Sequence, residues 1–108
     1  MIFKLKFSVL FLRTPQTVTQ IALLNGSGDN TRTLTGVKSG QMICLLGRHG
    51  NGSSSDWHSY ISSFDGDVAL FYSTGGNPSA YVFFAIASKN NPVIVTTYWF
   101  GGTIFLIE

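Results

Sequence analysis

The chain has 108 residues and a mass of 11.8 kDa, enough for one domain. Charged residues make up 11% of it, seven Lys+Arg against five Asp+Glu, where a soluble domain carries about 25%. Aromatics reach 14%, mean hydropathy is +0.24 and the formal net charge is +2. This composition excludes a disordered tail, which combines high net charge with few aromatics. The basic residues are scattered from Lys4 to Lys89 rather than gathered into a nucleic-acid-binding stripe. No run approaches the roughly 18 apolar residues of a membrane-spanning helix. Glycine, serine, threonine and asparagine supply polarity without charge.

Residues 1–13 are orderly when read with period two. Phe3, Leu5, Phe7, Val9 and Phe11 fall on one face and Lys4, Lys6 and Ser8 on the other, which predicts a long half-buried strand. The apolar run 7–12 is shorter than the core of a secretory signal, and no small-residue cleavage site follows, so the segment is read as part of the folded protein. Thr14-Pro15-Gln16 breaks it, because proline has no amide hydrogen for a ladder.

Further strands are expected at 17–24, 31–35 and 41–46, separated by the turn-rich stretches 25–30 and 36–40. The longest loop is Gly/Ser-rich and runs over 47–56. A strand at 57–64 is expected to close at Asp65-Gly66, a hairpin dipeptide, before a strand at 67–72. The strands 80–87, 93–100 and 103–107 complete the series, with Gly101-Gly102 as a break. Eight or nine short strands about ten residues apart, with no helical periodicity, predict an all-β fold: a jelly-roll-like two-sheet antiparallel β-sandwich in a single domain, 1–108.

The late strands are apolar on both faces. In 80–87, Ala80, Val82, Phe84 and Ile86 oppose Tyr81, Phe83, Ala85 and Ala87; in 93–100, Val93, Val95, Thr97 and Trp99 oppose Ile94, Thr96, Tyr98 and Phe100. An antiparallel sheet of a free monomer keeps one face polar. Either these are central strands covered by loops within the monomer or, as the low charge favours, one sheet face packs against another subunit, with Tyr81, Phe83, Tyr98 and Trp99 as anchors. The apolar face of 1–13, Phe3 to Phe11, is the expected assembly strand that pairs with a neighbour's sheet edge.

Candidate chemistry is sparse. His49, Asp56 and His58 lie close in sequence, but no fourth ligand stands nearby on a rigid element, so no metal is expected. Asp29, Asp65 and Asp67 adjoin glycines without the alternating oxygen ligands of a calcium loop, and turn chemistry accounts for them. The serines of the long loop lack the strand–turn–helix setting of an activated hydroxyl. Cys44 cannot form an intramolecular disulfide and sits in an apolar run as a small hydrophobe. Neither an enzymatic activity nor a cofactor is expected. A glycan platform is the alternative: Trp57 is flanked by polar loop residues, with Asp56, Asn51 and Asn77 as candidate contacts.

The stretch Thr33-Leu-Thr-Gly-Val-Lys-Ser-Gly-Gln-Met-Ile-Cys-Leu-Leu-Gly-Arg48 resembles a segment of small tailed-phage virion β-sandwich proteins, of the head-decoration, fibre and adaptor type. There a glycine-led strand of aliphatics follows a short Thr-rich strand. The Gly/Ser/Asp loop, the Trp and the closing Gly101-Gly-Thr-Ile-Phe-Leu106 extend the likeness over about residues 31–108. The resemblance implies a non-enzymatic structural protein of the virion, self-associating or bound to other virion proteins through apolar sheet faces. It transfers no functional residue. The competing expectation is a lectin-like module that binds a carbohydrate or receptor; neither reading involves nucleic acid or membrane.

Overall fold

The computed structural model describes residues 17–24, 30–49, 56–76, 79–97 and 100–108. The strand expected over 1–12, with Phe3, Leu5, Phe7, Val9 and Phe11, lies outside them, as do Asn51, Asn77, Tyr98 and Trp99. Among the described residues there are eight strands: β1 (Val18–Leu24), β2 (Asn30–Thr33), β3 (Met42–His49), β4 (Ile61–Phe64), β5 (Gly66–Ser73), β6 (Ser79–Ala87), β7 (Val93–Thr96) and β8 (Phe100–Ile107). They form a five-stranded sheet in the order β1-β8-β3-β6-β5 and a three-stranded sheet in the order β2-β7-β4, antiparallel throughout.

The pairings are nested, first strand with last, second with seventh, third with sixth. A chain doubled back on itself and wrapped into two layers is the jelly-roll arrangement, as the strand spacing predicts. The layers hold five and three strands because β5 pairs with β6 and not with β4.

Three local expectations are corrected. Asp65-Gly66 does not close a hairpin: β4 belongs to the small sheet and β5 to the large one, so the dipeptide carries the chain between layers. Asp65 anchors this crossing. Its carboxylate accepts the Val93 amide at 2.9 Å, its own amide donates to the Val93 carbonyl at 3.1 Å, and its carbonyl accepts the Ser88 amide at 3.0 Å. Gly66 has no room for a side chain, since a Cβ there would meet the Ile86 backbone and the Phe64 ring. Second, Trp57–Ser59 is one turn of 3-10 helix, capped by Asp56, and the strand begins only at Ile61. Third, the strand expected over 93–100 ends at Thr96, and β8 runs straight through Gly101-Gly102.

Both edge strands of the large sheet carry a β-bulge, between Gln20 and Ala22 in β1 and between Val68 and Leu70 in β5. The extra residue resets the inside–outside alternation. In β5, Val68 and Phe71 consequently both pack toward the core, three residues apart, while Leu70 and Tyr72 turn outward.

Between the layers lie Ile43, Leu45, Phe83, Ala85 and Ile104 of the large sheet and Ile61 and Ile94 of the small one, all fully buried. Tyr60 fills one end. Its ring stacks on Tyr81 at 5.0 Å, and its hydroxyl shares hydrogen bonds with Ser73 (3.0 Å) and Ser79 (3.3 Å). At the other end the 89–92 turn clamps the 34–40 loop. The Asn91 side chain accepts the Gly36 amide at 2.9 Å, and the Asn90 side chain accepts the Ser39 amide at 3.0 Å. Gly36 and Gly40 hold φ near +90°, which glycine adopts without penalty.

Candidate functional site: the outer face of the large sheet

Every large apolar side chain exposed among the described residues is on the five-stranded sheet: Val18, Leu23, Leu46, Leu70, Tyr72 and Ile86. The registers gather them onto one surface. One row across all five strands reads Val18, Ile107, Met42, Ile86 and Asp67. The next reads Gln20, Phe105, Cys44, Phe84 and Leu70. A third reads Leu23, Thr103, Leu46, Val82 and Tyr72. Directly opposed residues share a face, and these rows alternate with the fully buried Ile43 and Leu45 of β3, so all three point away from the core.

The bulges complete this surface. Without the extra residue in β1, Leu23 would follow the parity of the buried side; with it, Leu23 is 60% exposed and Leu24 turns inward. Leu70 and Tyr72 are likewise 52% and 63% exposed. Cys44 sits at the centre on the middle strand, covered by its cross-strand neighbours Phe84 and Phe105. Burial pushes its thiol up from the ordinary range, so it stays protonated and serves as a small apolar side chain.

The five strands contain only two charged residues, Arg48 and Asp67, at opposite ends of the sheet. At ~4.8 Å between strands and ~3.3 Å per residue, the surface measures roughly 25 by 20 Å, on the order of 500 Å². The largest apolar patch on a typical monomer is of about this size and is often functional. The outer face of the small sheet differs: its cross-strand rows are Thr31, Val95 and Ser63, then Thr33 and Val93.

The structure divides the expected interface residues. Tyr81 and Phe83 are inside, 4% and 0% exposed, so the face of β6 expected to meet a partner is the core face. Phe83 packs edge-on against Phe64 and tilted against Trp57, and Tyr81 stacks on Tyr60, all within the sandwich. The small Ala85 and Ala87 on the same face make room for the opposite layer. The outward residues of β6 are Ala80, Val82, Phe84 and Ile86. Tyr98, Trp99 and the 1–13 strand are outside the described residues.

Of the glycan candidates, Asp56 and Trp57 are described. Asp56 caps the 3-10 turn, accepting the His58 amide at 3.1 Å and pairing with His58 Nδ1 at 2.8 Å. The His58 hydrogen bond holds its carboxyl below the usual range. The His58 imidazole stacks on Trp57 with ring centroids 3.7 Å apart, and the indole also packs against Phe83. One flat face of the Trp57 indole is thus already occupied from within the chain. Among the described residues no three His, Cys, Asp or Glu side chains converge as a metal site would require, and no helix is long and apolar enough to cross a membrane. Comparison of the chain with known protein families, curated proteins and solved structures found no match.

Proposed function

We propose that this chain is a non-enzymatic structural subunit of a virion, a capsid-decoration, cement or fibre-type protein whose work is to be held against neighbouring protein. The observation that carries the reading is the outer face of the five-stranded sheet, which is wide, apolar and free of charge across its centre. Such a surface is costly in water and gains free energy at about 25 cal/mol per Å² of apolar area covered. Depletion of charge with enrichment in aromatic and aliphatic side chains is the composition of an interface core. The resemblance of residues 31–108 to tailed-phage virion sandwiches supplies the setting, as an analogy of architecture.

Particles produced by the genome that encodes this chain test the reading. Purified through a density gradient, they are expected to contain the chain at a fixed ratio to their shell protein, as read by quantitative mass spectrometry. Its absence from the particle band would overturn the assignment. In the lectin-like alternative Trp57 would offer a sugar what His58 and Phe83 leave open of its ring.

A further inference from the structure

We infer that the occupant of the outer face of the five-stranded sheet is a second copy of this chain, the two copies packing sheet against sheet. The inference deepens the structural-subunit reading and rests on it. Three observations select the occupant. The first is width. A single strand covers a strip about 5 Å across, against a surface of roughly 25 Å, so one extended segment such as residues 1–16 leaves most of it wet. A second sheet covers all five strands at the ~10 Å spacing of a sandwich.

The second is charge. The central rows carry no ionised group, so a copy laid on its own image brings no like charges together. The two charges at the margins, Arg48 and Asp67, are opposite in sign and lie at opposite ends. A basic or acidic partner would find nothing to pair with in the middle of the face, and a copy of the same surface needs nothing there.

The third is relief. Leu46, Leu70 and Tyr72 stand proud around the better-covered Cys44, Phe84 and Phe105. The surface is thus a shallow set of ridges and furrows, which aliphatic side chains from an identical sheet can interdigitate. Its on-the-order-of 500 Å² footprint approaches the roughly 800 Å² per partner of a stable complex before its margins are counted.

The test is the solution mass of the full chain by sedimentation velocity across a concentration series, for the wild type and for Leu46→Lys and Tyr72→Lys. Both substituted side chains are exposed and absent from the core, and a retained β-type circular dichroism spectrum checks folding. Leu70→Lys stands in for either variant that fails that check. The wild type is expected at a multiple of 11.8 kDa. Each lysine is expected to raise the dissociation constant by about 100-fold or more, because it places an unpaired charge in an apolar contact. A wild type that remains at 11.8 kDa up to high concentration overturns the inference, as does an oligomer unchanged in all the lysine variants. Neither result touches the particle measurement: a monomer found at fixed ratio in virions leaves the structural-subunit reading standing with another virion protein on the face. An oligomer that is lost in the lysine variants but absent from virions does the reverse.

Discussion

Gly47, Gly102 and Tyr81 lie side by side across three strands of the large sheet, and Gly47 leaves room for the tyrosine. A Cβ on Gly47 would meet the Tyr81 phenol and lie 2.6 Å from the Gly101 carbonyl oxygen, and one on Gly102 would lie 2.6 Å from that of Leu46. Because these contacts are partly with backbone, they cannot relax by a rotamer change, and Gly47→Ala is expected to lower stability by about 1–3 kcal/mol. Urea denaturation checks this. The burial that encloses Tyr81, assisted by the neighbouring Tyr60, pushes its phenol far above the ordinary tyrosine range. The folded state disfavours the phenolate, so the contribution of Tyr81 to stability is intact below about pH 10 and declines as pH rises beyond it. In an alkaline titration followed by phenolate absorbance, Tyr81 is expected to ionise only as the protein unfolds. At Phe83, truncation to alanine should cost about 3–5 kcal/mol, since it removes the ring that Trp57 and Phe64 both pack against. None of this was legible in sequence. Period two separates Tyr81 and Phe83 from Val82 and Phe84, but both pairs are apolar, and only the layer opposite decides which one is buried.

Strand positions were readable to within a few residues because alternation and turn chemistry are local. Two of the errors share one physical origin, namely glycines and turn residues used inside the architecture. Gly47 and Gly101-Gly102 read as interruptions, yet they sit within strands, and at Gly47 and Gly102 a neighbouring strand leaves no room for a Cβ. Asp65-Gly66 has the chemistry of a hairpin, but β4 takes β7 as its partner and the dipeptide spans the two layers instead. The Asp65 carboxylate then stands in for a missing ladder acceptor at the Val93 amide. Asp65→Ala is expected to destabilise by about 1–3 kcal/mol through that unsatisfied donor. Hydrogen exchange should show the loss of protection concentrated at Val93 and Ser88. The bulges were invisible for a related reason. A bulge shifts parity without a sequence signature of its own, and in β1 and β5 it determines that Leu23, Leu70 and Tyr72 face outward.

At the scale of the whole molecule the two layers present unequal exteriors, one of Leu, Ile, Val, Phe and Tyr and the other of Thr, Ser and Val. The low charge of the chain anticipated an apolar sheet exterior, although the sequence-based choice of residues fell on the inner side of β6. An association through the large sheet is driven by apolar burial, so it should persist from about 0.1 to 1 M NaCl, where screened ion pairs weaken, and loosen on cooling. Sedimentation at 4 and 25 °C and at both salt concentrations reads this directly. The nested pairing also orders events during synthesis. Among the described residues β1 pairs with β8 alone, and β8 is also the second neighbour of β3. A nascent chain therefore leaves β1, and one side of β3, waiting for β8 until that strand has emerged. During that interval the β8 of a neighbouring chain can serve as well as its own, so closely spaced ribosomes on one message would favour exchanged strands, and slow, isolated synthesis would favour the correctly closed sandwich.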